Sequence, residues 1–157
     1  MSQSDPSQAM WPGAAGDGDA GWHRALGELA LACSGSFPGD EAERLRELRR
    51  LLAGAPAHAS GHGLLTPPAE RLDELIAAGA GVSAVLAFVG PDCGYLISRG
   101  AAGQHLVSLI LPGATEETSA SGDSLALALI SAIALALVGV DSGRTDLRPP
   151  DRAARLN

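Results

Sequence analysis

The chain has 157 residues, of which 46% are apolar and only 3% are aromatic, and its formal net charge is −7. This apolar content excludes a compositionally disordered chain, and the length suffices for one domain with a core of Leu, Val, Ile and Ala. The acidic balance argues against non-specific binding to nucleic acid or to anionic lipid, because both need a basic surface.

The two ends of the chain differ in composition from its middle. Residues 1–18 are rich in Ser, Gly, Pro and Asp and are expected to form a flexible arm. They contain neither a basic start nor an apolar run, so we predict no signal peptide and expect a cytoplasmic protein. A single domain is expected over 19–140, followed by a flexible polar tail at 141–157.

Two amphipathic helices are predicted in the first part of the domain, 19–54. The first, at about 22–33, carries its apolar residues on one stripe. Cys33 lies on that stripe and is expected to be a buried packing residue. The second helix is EAERLRELRRLL, which begins after a capping-box-like pair formed by Asp40 and Glu43.

The segment 55–65 is predicted to be a linker to the second part of the domain, 66–140. Its histidines, His58 and His62, are spaced four apart, as zinc ligands on a helix can be. The glycines around them and the lack of a neighbouring Cys or carboxylate favour a solvated linker instead. A third helix is expected to start from Thr66, with Pro67 in its first turn.

Three short apolar segments then predict an antiparallel meander. They are VSAVLAFV (82–89), YLISR (95–99) and QHLVSLIL (104–111), and the turns GPDCG and GAAG separate them. These turns place Ser98 opposite His105 and make both sheet faces largely apolar. A small antiparallel sheet usually has one face in contact with solvent. We therefore predict an α+β fold, a three-stranded antiparallel meander packed with helices, in which either an α/β/α sandwich or a second subunit covers the other face.

The run SLALALISAIALALVGV, residues 124–140, carries no charge and is bracketed by Asp123 and Asp141. A membrane-spanning helix needs about 20 apolar residues, so this run is short for one. Ala and Leu are strong helix formers, and we predict a helix buried in the domain. A membrane-inserted helix and a strand-containing segment remain the alternatives.

Large and small side chains separate on this predicted helix. At about 100° per residue the large ones gather on one side, which would fill the core. The other side is apolar but flat and suits the close approach of a second surface. Its residues are the candidate interface: Ala128, Ser131, Ala132 and Gly139. The expected partner is a second copy of the chain in a homodimer, or another protein.

The order of a helix, a three-stranded meander and a capped Ala/Leu helix resembles the phage ABA sandwich domain of small phage and prophage proteins. The resemblance covers about 66–139, and SLALALISAIALAL is similar to the family's final helix. The family's aromatic-rich strands are missing, since this meander has only Phe88 and Tyr95. The resemblance implies a small protein without an assigned catalytic site, so it transfers no functional residues.

No catalytic, cofactor-binding or metal-ligating residue is predicted. GAGVSA, at 79–84, has the letters of a shortened dinucleotide fingerprint, but that motif needs a strand before it and a helix after it. The expected order here is the reverse. Cys93 lies in the turn GPDCG and is expected to be an exposed thiol of ordinary reactivity, with no base in reach.

The leading functional hypothesis is a non-enzymatic cytoplasmic module for protein–protein contact, acting as a homo-oligomer. It needs no cofactor, and a phage origin or an accessory regulatory role would fit. The absence of Lys among the 11 basic residues indicates a GC-rich bacterial genome. The alternative is a small enzyme or ligand-binding protein with an apolar pocket between the sheet and the final helix, its rim formed by Ser98, Arg99 and His105. A third hypothesis is an accessory protein that touches a membrane through 124–140.

Overall fold

The computed structural model describes the backbone of residues 15–145 and the side chains of 18–140. Five α-helices and one three-stranded antiparallel sheet occur in this range, which confirms the predicted α+β class. The helices are α1 (Ala15–Ser34), α2 (Glu41–Ala53), α3 (Ala69–Ala77), α4 (Gly81–Leu86) and α5 (Leu125–Thr145). The strands are β1 (Gly94–Arg99), β2 (His105–Ile110) and β3 (Thr118–Gly122).

The helix boundaries extend several of the predicted segments. Helix α1 begins at Ala15 and α5 continues to Thr145, so helical backbone reaches into the predicted arm and the predicted tail. The rest of both segments, 1–14 and 146–157, lies outside the described residues. The expected linker contains a short 3-10 helix, Ala57–Gly61. Helix α3 starts three residues after Thr66, with Pro68 rather than Thr66 at its N-cap.

The predicted meander is displaced by one segment along the chain. The first predicted strand, 82–89, is wrong: most of it forms α4 and the turn that follows. Ala84, Val85 and Phe88 are fully buried, at the spacing of one helix face. A short apolar run fits a buried helix as well as a buried strand, so periodicity alone did not separate the two.

The third strand is β3, a polar segment expected to be a loop. It consists of small residues and pairs with β2 in antiparallel register. The hydroxyls of Ser108 and Ser119 are 2.7 Å apart across this pair. Thr118 and Ala120 are half-buried on the side of the sheet that faces the helices. The composition of β3 does not predict a strand, because Ser and Gly have little preference for strands. β3 therefore forms through its pairing with β2 and its packing.

The register between β1 and β2 also differs by one residue from the prediction. Ser98 stands opposite Leu106, and Arg99 stands opposite His105. The loop is one residue longer than GAAG, since the Gly100 N–H donates to the Gln104 carbonyl at 2.9 Å. Gly103, with φ of +86°, supplies the left-handed residue that this turn requires. A slip of one residue moves every side chain of a strand to the opposite face.

Helix α5 lies at the centre of the fold, and the prediction of a buried helix is confirmed. Every residue from 126 to 134 is buried. Helices α1, α2 and α4 pack around α5 together with β2 and β3. The Ser124 hydroxyl caps its start by accepting from the Leu127 N–H at 3.2 Å. In the part of the chain that the structure describes, no helix has both the length and the apolar character to cross a membrane.

The sheet carries helices on one face only, as far as the described residues show. Val107 and Leu109 of β2 are fully buried beneath α5, and we call their side the inner face. On the opposite, outer face, Leu96 and Leu106 are 68% and 40% exposed. The architecture of residues 15–145 is therefore two-layered, and these residues do not form the α/β/α sandwich that was one of the two predicted covers for the second face.

Candidate interaction surface

Three of the four candidate interface residues on α5 lie inside the fold. Ala128 and Ala132 are fully buried and Ser131 is 2% exposed, whereas Gly139 near the end of the helix is exposed. The Ser131 hydroxyl donates to the carbonyl of Ala30 in α1 at 3.3 Å. The small-residue side of α5 does allow a close approach, but the approaching surfaces belong to the same chain: α1 meets Ser131, and Gly122 at the end of β3 meets the backbone of Ala128.

The three candidate pocket-rim residues do not converge. Arg99 and His105 are cross-strand neighbours on the inner face. Ser98 lies on the outer face, opposite Leu106, so the expected pairing of Ser98 with His105 is wrong. Ser98 and Arg99 are exposed and His105 is half-buried. The sheet itself therefore separates the Ser98 hydroxyl from the other two side chains.

Both cysteines are free thiols buried in the core. This confirms the prediction for Cys33 and corrects the one for Cys93, whose Sγ donates to the Gly63 carbonyl at 3.4 Å instead of facing solvent. Burial raises the pKa of the Cys33 thiol to about 12. Burial also raises the pKa of Cys93, and the adjacent Asp92 carboxylate adds to that rise. Neither thiol is activated as a nucleophile, which needs a lowered pKa.

The two histidines of the predicted linker have different surroundings. His58 is partly exposed, and its Nδ1 lies 3.7 Å from a carboxylate oxygen of Asp19. His62 is only 9% exposed and its Nε2 has no hydrogen-bond partner among the described residues, so the expectation of a solvated linker is wrong at this residue. Among the described side chains, no group of three His, Cys, Asp or Glu residues is placed to hold a metal ion.

The outer face of the sheet leaves large apolar side chains in contact with water. Leu96, Leu106 and Ile110 are 68%, 40% and 39% exposed there. The register places four serines on the same face: Ser98, Ser108, Ser119 and Ser121. Scattered exposed apolar residues are normal at a protein surface, whereas adjacent ones on one flat face mark an interaction site.

Strand β1 is the least covered element of the fold. All six of its residues are exposed, and among the described strands it pairs with β2 alone, so it forms an edge of the sheet. Even on the inner face, Tyr95 and Ile97 are 48% and 37% exposed, because the helices pack over β2 and β3. Together, β1 and the outer face form what we call the bare surface.

The bare surface also differs from the rest of the chain in charge. The chain has 18 acidic residues, but none lies between Asp92 and Glu116, and the only formal charge in that interval is Arg99. The centres of protein interfaces are depleted in charged residues and enriched in aromatic residues and Arg. The composition typical of an interface, an aromatic residue and an Arg among apolar residues, was therefore visible in YLISR. The position of this strand at the edge of the sheet was not.

The chain matches no family model, no curated protein and no solved structure. The resemblance to the phage ABA sandwich domain accordingly stays a prediction from the sequence.

Proposed function

We propose that the protein is a non-enzymatic module for protein–protein interaction, which binds through the bare surface and self-associates as a homo-oligomer. The observation that carries the proposal is five large apolar side chains exposed on two neighbouring strands. They are Tyr95, Leu96, Ile97, Leu106 and Ile110. Burying such surface against a partner removes apolar area from water, at roughly 25 cal/mol per Å².

The arrangement of polar groups favours this proposal over an enzyme or a ligand-binding protein. The rim residues of the alternative hypothesis point to opposite sides of the sheet. Raised thiol pKa values leave Cys33 and Cys93 protonated at neutral pH. The polar residues of the outer face are mainly serines, which suit the polar part of an interface.

Two finer points of the proposal concern origin and compartment. A phage origin is supported by the three-stranded meander followed directly by a helix with a serine N-cap. A cytoplasmic location is supported by two free thiols, since reducing compartments keep cysteines unpaired.

A paired set of substitutions tests the proposal. The surface variant is Ile97→Thr with Leu106→Thr, one residue in the edge strand β1 and one on the outer face, because Thr keeps strand preference while it removes apolar area. The control variant is Leu31→Gln with Phe37→Gln, at two apolar residues that are 76% and 71% exposed elsewhere. Light scattering coupled to size exclusion, and capture of partners from the native cell, should show association that the surface variant loses and the control keeps.

The same measurements can refute the proposal. A wild-type chain that is monomeric at about 100 µM, together with partner capture that is identical in both variants, would contradict an interaction role for this surface. Thermal unfolding of each variant should accompany the comparison, so that lost association is not confused with lost folding.

A further inference from the structure

The turn between β1 and β2 fixes which backbone groups of β1 point away from the sheet. Gly100 and Gln104 continue the register one step beyond Arg99 and His105, and the Gly100 N–H bonds to the Gln104 carbonyl. In an antiparallel pair, hydrogen-bonded and non-hydrogen-bonded positions alternate. Counting back from Gly100, the even-numbered residues of β1 bond to β2. The N–H and C=O groups of Tyr95, Ile97 and Arg99 therefore point to the open edge.

These three residues form a set that is symmetric about Ile97. If a second copy of β1 lies antiparallel alongside, with a twofold axis at Ile97, then Ile97 faces its own counterpart and Tyr95 faces Arg99 of the second copy. Every outward N–H and C=O is then paired, because hydrogen-bonded residues exchange two bonds each. Moving the axis to Leu96 or Ser98 leaves an outward residue of the strand without a partner.

The side chains suit the same register. Ile97 packs on Ile97 of the second copy at the axis, and an aromatic ring lies beside a guanidinium at each end, a favourable cation–π pair. On the outer face, Leu96 lies opposite Ser98 of the second copy. No like charges stand opposite each other along the strand. The two Arg99 side chains begin four residues apart along the strand direction, about 14 Å at ~3.4 Å per residue, which exceeds the Debye length of about 8 Å at physiological ionic strength.

The other edge of the sheet lacks this complementarity. Strand β3 is flanked by Glu116 and Glu117 before it and by Asp123 after it. Pairing two copies of β3 about its centre, Ala120, would place Glu117 opposite Asp123 of the second copy. Like charges directly opposite each other are destabilising in a sheet. Natural proteins guard edges with charge or proline, and β3 is guarded while the interior of β1 is not.

We infer that β1 pairs with β1 of a second copy about a twofold axis at Ile97, so that two chains form one continuous six-stranded antiparallel sheet. The inference rests on the proposed function, because it names the partner and the register for the same bare surface. It commits to the edge of β1 as the contact, whereas the proposed function also allows the outer face to be the contact.

Two cysteine variants of the full chain test the register. With the axis at Ile97, Ile97→Cys brings two Cα atoms to about 5.5 Å, the spacing of a hydrogen-bonded pair and within disulfide range. In the control Leu96→Cys, the introduced cysteine of one copy lies diagonally across the strand pair from that of the second copy, about 7–8 Å away. Under mild oxidation, we expect Ile97→Cys to form a disulfide-linked dimer at least fivefold faster than Leu96→Cys. The native thiols, Cys33 and Cys93, are buried and serve as an internal background.

A charge test separates this inference from the proposed function. Sedimentation equilibrium from 1 to about 200 µM should show a dimer whose Kd rises at least tenfold in Ile97→Lys and at most about threefold in Leu96→Lys, because only residue 97 faces itself across the axis. Dissociation by Leu96→Lys alone, or faster crosslinking of Leu96→Cys, overturns the edge pairing and leaves the outer face as the contact. A monomeric wild-type chain overturns the dimer. Capture of another protein that is lost in Ile97→Lys would then support the proposed function without this inference.

Discussion

Helix α5 and strand β1 are both apolar segments, yet the fold treats them in opposite ways. Helix α5 is buried without interruption from residue 126 to 134, while all six residues of β1 are exposed. Among residues 15–145, the helix packs against three other helices and two strands, whereas β1 has one strand neighbour. Apolar composition thus indicates that burial of a segment is favourable, and the topology decides whether other segments of the same chain bury it.

The covering of α5 depends on small residues at the points of closest approach. Ser131 meets the carbonyl of Ala30 in α1. A Cβ placed on Gly122, at the end of β3, would lie 2.8 Å from the backbone nitrogen of Ala128. β1 shows no such close approach on its outer edge, since no described strand pairs there.

The largest effect is expected from Ala132→Glu, which buries an unpaired carboxylate between α5 and its neighbours. Leaving an uncompensated charge in a core destabilises a fold by about 3–5 kcal/mol. Urea unfolding should therefore show loss of most or all of the folded state. The control is Leu135→Glu on the same helix, at a side chain that is 37% exposed. Equal losses in the two variants would contradict the central position of α5.

A smaller loss is expected from Gly122→Ala. The added methyl group would meet the backbone of Ala128, and such overpacking costs about 1–3 kcal/mol. Gly27→Ala in α1 is the matched control, because a Cβ there meets nothing within 4 Å. That change should raise stability by about 0.5–1 kcal/mol through helix propensity. Thermal unfolding distinguishes the two, and a Gly122→Ala variant as stable as wild type would refute the close approach.

The thiol of Cys33, in the helix that covers α5, predicts a loss of stability in alkali. Burial raises the pKa of this thiol to about 12 from its ordinary value of 9.0. The folded state thus holds the proton more tightly than the unfolded state between those two values. The thiol's contribution to the free energy of unfolding is fully present below pH 9 and is lost as pH rises toward 12. The loss reaches about 1.4 kcal/mol at pH 10. Urea unfolding at pH 8 and 10 should show a smaller drop for Cys33→Ala; an unchanged drop would exclude this thiol as a cause.

The smallest effect is expected on β1 itself. Leu96→Thr changes a side chain that is 68% exposed, so the free energy of unfolding of the monomer should move by no more than about 0.5 kcal/mol. The same substitution at Leu109, fully buried on the neighbouring strand, should destabilise the fold by about 2–4 kcal/mol. Chemical denaturation at a concentration below self-association measures both, and comparable losses would mean that β1 is covered after all.

Several features could be predicted from the sequence because their causes are local. The charged and apolar periodicity of EAERLRELRRLL predicts α2, which runs over Glu41–Ala53. The length and composition of the final apolar run predict a buried helix, and the structure adds that Ser124 caps its start. The position of Cys33 on an apolar stripe predicts its burial. In each case, neighbours within one or two helical turns carry the signal.

The candidate site depended on contacts between distant segments. Whether 82–89 forms a helix or a strand, and whether a polar segment such as β3 joins the sheet, is decided by packing rather than by propensity. The register of β1 and β2 depends on a single additional loop residue, which moved Ser98 to the outer face.

The sequence by itself determined that this chain has two apolar strands, YLISR and QHLVSLIL, and a buried Ala/Leu helix, all of which require cover. Only the tertiary structure decided that α1 covers the small-residue side of α5 and that β1 is left at an open edge. The physical reason is that burial is a property of pairs of surfaces. The sequence indicates which surfaces are apolar, and only the fold determines which of them are in contact.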